Sequence, residues 1–178
     1  LYTKDSTVAL DNVIIDGNYT KTASASGLVI YATKSTVKMN KCTVSNNATK
    51  GNAANDFIYV KDSNLTITDI NFTNNNTLVV PNKEYDVTPR IFYVDNSPLT
   101  INGGKITKNG AKNIFYFANS KADFTGTTIT DNASGVMSVN NLDQIINMTE
   151  CTLDSNNVWS SDYVIDIKKK DQVVMTDC

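Results

Sequence analysis

The sequence predicts an all-β fold: a right-handed parallel β-helix with three strands per coil, six full coils and part of a seventh. Three observations predict it. An asparagine recurs at one offset from an apolar residue, in Ile15-Asp16-Gly17-Asn18, Val44-Ser45-Asn46-Asn47, Phe72-Thr73-Asn74-Asn75, Ile106-Thr107-Lys108-Asn109, Ile129-Thr130-Asp131-Asn132 and Leu153-Asp154-Ser155-Asn156. These asparagines are 29, 28, 34, 23 and 24 residues apart, within the period of about 20–50 residues that marks a solenoid. Short stretches of strict apolar/polar alternation flank each one, as half-buried strands require. No window carries a helical apolar stripe, and the prevailing threonine, asparagine and β-branched residues favour strands and turns.

The elements follow in order. The first strand of each coil reads Val8-Ala9-Leu10-Asp11, Val37-Lys38-Met39-Asn40, Leu65-Thr66-Ile67-Thr68, Leu99-Thr100-Ile101-Asn102, Ala122-Asp123-Phe124-Thr125 and Ile146-Asn147-Met148-Thr149. The second carries the apolar residue of the asparagine motif. A loop of variable length follows, then a third strand: Val29-Ile30-Tyr31-Ala32, Phe57-Ile58-Tyr59-Val60, Ile91-Phe92-Tyr93-Val94, Ile114-Phe115-Tyr116-Phe117, Val136-Met137-Ser138-Val139 and Val164-Ile165-Asp166-Ile167. One coil points about six apolar side chains inward, each contributing about 1.5–3 kcal/mol. Ordering its backbone costs about 1–2 kcal/mol per residue. A coil therefore needs neighbours, with parallel strands about 4.8 Å apart and right-handed crossovers.

Asn18, Asn47, Asn75, Asn109, Asn132 and Asn156 form the predicted structural ladder. At a sharp turn an inward asparagine tolerates the left-handed backbone region. Its amide both donates and accepts, so it bonds turn backbone and the asparagine of the next coil, where no water reaches.

With its F-x-x-N-type repeats the chain resembles right-handed parallel β-helices of the pectin-lyase-like class, and in particular the polymorphic outer membrane protein family and related surface proteins. The resemblance spans residues 6–178. Only Phe72-Thr73-Asn74-Asn75 has the literal phenylalanine, and Gly103-Gly104-Lys105-Ile106 is the nearest approach to that family's G-G-A-I motif. Glycoside hydrolases of this class use an aspartate cluster beside Gly-His-Gly; its lyases use calcium and an Arg or Lys base. This chain has no histidine, which also removes Ser-His-Asp and Cys-His catalysis and imidazole metal sites. Asp123, Asp131, Asp154 and Asp166 fall in different columns, and Arg90 lies in the longest loop beside Pro89, away from such acids. Two carboxylates suffice for glycoside hydrolysis, but nothing picks out a pair.

At 178 residues and 40% apolar content, residues 1–178 read as one ordered domain. Starting at Leu1 and ending inside a coil without polar caps, they read as a segment of a longer solenoid. The net charge of −2 and dispersed lysines give no field for nucleic acid. Lys168-Lys169-Lys170 reads as a solvated turn, and no apolar run is long enough to span a membrane. No cofactor or metal is implied.

Cys42, Cys151 and Cys178 share one inward column, filled elsewhere by Val13, Ile70, Gly104 and Thr127. Cys151 and Cys178 are one coil apart, so the column is either a stack of buried thiols or holds a candidate Cys151–Cys178 disulfide. Of seven N-x-[ST] sequons, Asn18, Asn47, Asn75 and Asn132 are ladder positions turned inward. Asn71 and Asn147 point outward from strands and Asn64 lies on a turn; these three are the candidate glycosylation sites.

In the third strand the columns of Ile30 and Ala32 point inward. Tyr31, Tyr59, Tyr93 and Tyr116 between them point outward, beside an apolar column (Val29, Phe57, Ile91, Ile114, Val136, Val164) also assigned to the surface. Such a face is covered by loops 19–28, 48–56 and 76–90, meets another chain laterally, or stacks sugars on tyrosine. Outward threonines raise ice binding, which the interspersed Asp11, Lys38, Asp123 and Asn147 argue against. The sequence therefore favours a non-catalytic extracellular structural or adhesive rod of a cell-surface or filament-forming glycoprotein. It would contact other copies, laterally or end to end, or surface glycans. The alternative is a polysaccharide-active or carbohydrate-binding module.

Overall fold

The computed structural model describes residues 1–20, 27–49, 56–75, 90–111, 113–133, 135–140, 144–156, 163–168 and 172–178. Among them there are strands but no helix. Almost all strands belong to two parallel sheets in which the chain repeatedly returns to pair beside its own earlier passage. The first sheet has seven strands, Tyr2–Lys4, Ile30–Thr33, Ile58–Lys61, Phe92–Asp95, Asn113–Ala118, Gly135–Asn140 and Ile165–Ile167. Its register stacks Tyr2, Tyr31, Tyr59, Tyr93 and Tyr116 in one row.

The second sheet has two limbs. One limb runs from Thr7–Asp11 through Thr36–Asn40 and Asn64–Thr73 to Gln172–Thr176. The other contains Ile14–Asp16, Thr43–Ser45, Thr128–Thr130 and Thr152–Asp154. Asn64–Thr73 and Leu99–Thr107 are long enough to belong to both. A two-stranded sheet pairs Tyr19–Thr20 with Ala48–Thr49.

One hydrophobic core draws on every limb. Ile30, Ala32 and Val60 come from the first sheet, Val37, Met39 and Ile67 from one limb of the second, and Val44, Phe72 and Ile106 from the other. Phe115 meets Phe124 edge-on across it, with centroids 5.0 Å apart. The terminal passages are less covered: Leu10 and Ile15 are only half-buried, and Met175, in register with the buried Met148, is exposed.

The ladder forms as expected in its interior. Each asparagine Oδ1 accepts from both the backbone N–H and the Nδ2 of the asparagine one repeat earlier. The Nδ2–Oδ1 distances are 2.9 Å from Asn47 to Asn75, 3.0 Å from Asn75 to Asn109, 3.0 Å from Asn109 to Asn132 and 2.9 Å from Asn132 to Asn156. Each Nδ2 also donates to a carbonyl of the preceding repeat, as Asn75 does to Val44 at 2.9 Å. Asn18 departs from expectation. It donates to Asn47 at 2.9 Å, yet it is exposed, because among the described residues no strand lies beyond it.

The left-handed backbone is not on the ladder asparagine, as expected, but on the residue before it: Gly17, Asn46, Asn74, Lys108, Asp131 and Ser155. The other two corners of each repeat follow the same rule, with Asp5, Lys34, Asp62, Asn96 and Asn119 at one and Asn12, Lys41, Asp69, Gly103, Gly126, Glu150 and Asp177 at the other. No β-branched residue occupies these positions, where its side chain would crowd the backbone. The corner amides donate across to the next repeat, as Asn74 does to Thr107 (3.2 Å) and Asp131 to Asp154 (3.2 Å).

A second polar ladder went unread in the sequence. Ser6, Ser35, Ser63, Ser97 and Ser120 lie 29, 28, 34 and 23 residues apart, the spacing of the asparagines. Their backbone N–H groups donate to the serine hydroxyl of the next repeat at 2.9–3.2 Å. Each hydroxyl donates to the carbonyl two residues back, as Ser63 does to Lys61 at 2.7 Å.

Candidate functional site

The tyrosines of the first sheet form the most distinctive surface feature. Their rings stack nearly parallel, within 5–10°, at centroid distances of 5.3, 4.8, 5.1 and 5.4 Å from Tyr2 through Tyr31, Tyr59 and Tyr93 to Tyr116. Strict alternation along short strands holds the row outside the core, and in-register parallel pairing sets the spacing. Tyr2 extends the row one place beyond the predicted four. The four predicted rings are half-buried and Tyr2 is 70% exposed. Because neighbours cover each other's faces, the row presents ring edges and hydroxyls, and only its end members, Tyr2 and Tyr116, stack on a single tyrosine. Burial pushes the Tyr59 and Tyr93 phenols above their usual range, so both stay neutral at physiological pH.

One end of the row is polar. The Tyr116 hydroxyl accepts from Asn140 Nδ2 at 3.2 Å. Ser138 and Asp166 continue the column, 3.4 Å apart, and Lys168 Nζ lies 3.4 Å from Asp166. Alongside the row, Lys61 pairs with Asp95 at 3.3 Å.

Arg90, which the sequence reading set apart from acids such as Asp123, Asp131, Asp154 and Asp166, pairs with a different one, Asp56. Its Nε and Nη2 reach the two carboxylate oxygens of Asp56 at 2.7 and 3.2 Å, and its guanidinium lies 4.1 Å from the Tyr93 ring centre and 4.8 Å from that of Tyr116. Asp56 is 1% exposed. Burial raises its carboxyl above the usual range, against the lowering by Arg90. The pairing was legible: extending the Ile58–Phe92 register by two residues sets Asp56 beside Arg90.

The apolar column beside the tyrosines corrects the sequence reading. Val29, Phe57, Ile91, Ile114 and Val136 are core residues, none more than 2% exposed; of the column only Val164, at 40%, reaches the surface. Alternation fails here because the chain bends into the strand. Val29 and Ile30 both donate to the Phe57 carbonyl, and Val136 and Met137 both to that of Val164. Two consecutive residues therefore turn inward. The exposed face is a tyrosine row without an aliphatic stripe. The loops expected to cover it fall largely on residues 21–26, 50–55 and 76–89, outside the described residues, as do residues 169–171 next to Lys168.

Asn64, Asn71 and Asn147 are exposed, and the ladder sequons Asn47, Asn75 and Asn132 are buried. Asn64 opens a strand rather than lying on a turn, and Asn147 donates to Asp123 Oδ1 at 2.8 Å. Asn18, expected inward, is an exposed sequon. Cys42 and Cys151 are buried and Cys178 is exposed, all three as free thiols. Asp16, lowered by hydrogen bonds from Ser45 and Asn46, is one of several exposed acids tied to the adjacent repeat. Among the described residues no group of three or more His, Cys, Asp or Glu is placed to hold a metal, and no helix is long and apolar enough to cross a membrane.

No family model, curated protein or solved structure matches this chain.

Proposed function

We propose that the chain is a stretch of right-handed parallel β-helix, three strands per coil and six to seven coils, that serves as a non-catalytic rod in an extracellular cell-surface or filament-forming glycoprotein. The observation that carries this reading is where the polar groups are used. Asparagine and serine ladders run through successive repeats, with the tyrosine row outside them, so the buried polar groups and stacked rings join one passage of chain to the next. The resemblance to pectin-lyase-like β-helices, through the F-x-x-N-type repeats, belongs to the same reading. N-glycans on Asn64, Asn71 and Asn147 would mark the second sheet, leaving the tyrosine row as the contact surface for another chain or for surface glycans. Tyrosine and arginine are among the side chains enriched at interface hot spots.

The competing reading is a polysaccharide lyase or hydrolase. Incubation with calcium and a uronate polymer, followed by absorbance of unsaturated product for a lyase and by assay of new reducing ends for a hydrolase, separates the two. A rod gives no product; turnover would overturn the structural assignment. Expression through a eukaryotic secretory pathway with glycan mapping tests the surface assignment. Occupancy at Asn64, Asn71 or Asn147 and none at Asn47, Asn75 or Asn132 supports it, and the reverse pattern contradicts it.

A further inference from the structure

We propose that Cys151 and Cys178 are a dithiol that closes to a disulfide and fastens the strand Gln172–Thr176 to the repeat beneath it. The register carries the inference. Ile145–Thr149 pairs with Gln172–Thr176 so that Met148 lies opposite Met175 and Thr149 opposite Thr176. Continuing by two residues sets Cys151 opposite Cys178. Adjacent parallel strands are about 4.8 Å apart, inside the Cα separation of about 4.4–6.8 Å that a disulfide spans. Both thiols point at backbone of the same corner: Cys151 Sγ donates to Thr149 O and Cys178 Sγ to Met148 O, each at 3.4 Å.

The rest of the column shows why only this pair is suited. Cys42 occupies the same position but pairs in register with strands bearing Val13 and Ile70 there, and its thiol donates to Leu10 and Asn40 carbonyls. Neither in-register neighbour bears sulfur. In the strand that the cross-link would fasten, Val173 packs against the core while Val174 and Met175 are 46% and 45% exposed.

The route follows from accessibility. Cys178 is exposed and Cys151 buried, and burial keeps the Cys151 thiol protonated to higher pH. Cys178 thiolate attacks a small-molecule disulfide, forming a mixed disulfide and releasing one thiol. Cys151, losing its proton, then displaces the second thiol as the intramolecular bond forms. The chain loses two protons and two electrons, and the oxidant takes both.

Oxidised glutathione on the folded 178-residue chain provides the test. The expected result is one titratable thiol after denaturation, at Cys42, with peptide mapping joining Cys151 to Cys178. Amide exchange across Gln172–Thr176 should slow about tenfold or more in the oxidised chain. Cys178→Ser, at an exposed position, should retain two thiols and show no slowing, whereas Cys42→Ser should still close the bond. Three remaining thiols, a bond that includes Cys42, or cross-linked dimers in place of the internal bond would each overturn the proposal. The result is independent of the rod assignment, which rests on different residues.

Discussion

At the scale of the residue, the interior asparagines carry more than their number suggests. Asn75 accepts from the N–H and Nδ2 of Asn47 and donates to Val44 and Thr73 carbonyls, fully buried. Replacing it with alanine orphans groups on two repeats. At about 1–3 kcal/mol for each buried group left unsatisfied, Asn75→Ala should lose about 3 kcal/mol or more in denaturant unfolding. Asn18→Ala, at the exposed end, should lose under about 1 kcal/mol by the same measurement. Gly104 is the other sharp case. It has φ +89°, and an added Cβ would lie 2.3–2.4 Å from Ile70 backbone atoms, which no rotamer change relieves. Gly104→Ala should destabilise by about 2 kcal/mol or more and lower the unfolding midpoint accordingly.

Asp56 gives a pH signature. Its carboxyl is raised by burial, so it binds its proton more tightly folded than unfolded. That contribution is fullest in acid and is lost as pH rises through the folded value. In Arg90→Met the compensating charge is gone and the carboxyl rises further. The variant should lose about 3–5 kcal/mol at neutral pH and recover part of that loss in acid, as read by unfolding at several pH values. A deficit that grows in acid would reject the pairing.

At the scale of the element, the tyrosine row acts as a unit. Tyr59 is stacked on both faces, and each aromatic pair contributes about 0.5–1.5 kcal/mol beyond its buried area. Tyr59→Ala should therefore cost about 2–4 kcal/mol in thermal or denaturant unfolding, and Tyr59→Phe under about 1 kcal/mol, since the ring rather than the hydroxyl makes the stack. Much of this element was legible, because period-two alternation fixes which residues share a row. The bend before it was not. Val29 and Phe57 looked surface-bound by parity, and parity fails where two successive amides reach one carbonyl. The serine ladder was equally legible, at the asparagine spacing, but serine is common at turns and carries no apolar marker to draw the alignment. The left-handed corners were misplaced by one residue because composition does not separate the turn residue from the inward asparagine next to it when both are Asn, as at Asn46-Asn47 and Asn74-Asn75.

At the scale of the molecule, most of the difference in repeat length falls between the ladder asparagine and the first-sheet strand. From Asn75 to Phe92 the chain takes 17 residues, but from Asn132 to Met137 only 5, whereas from the first-sheet strand to the next ladder asparagine it takes 17 from Phe92 to Asn109 and from Phe115 to Asn132, and 19 from Met137 to Asn156. Repeat proteins place such insertions on one side, often the side that meets partners. Chemistry was the least legible layer: the sequence carries no histidine, and its acids are spread over different columns, so position alone distinguishes them.

The stacking of successive repeats depends on the asparagines bonding one to the next in the buried interior. Hydrogen exchange of the asparagine side-chain amides, followed by NMR, tests this most directly. Asn47, Asn75, Asn109 and Asn132 should exchange orders of magnitude more slowly than Asn18, Asn64 and Asn71. Side-chain amides at those four positions that exchange as fast as the exposed ones would contradict the ladder and the stacked fold built on it.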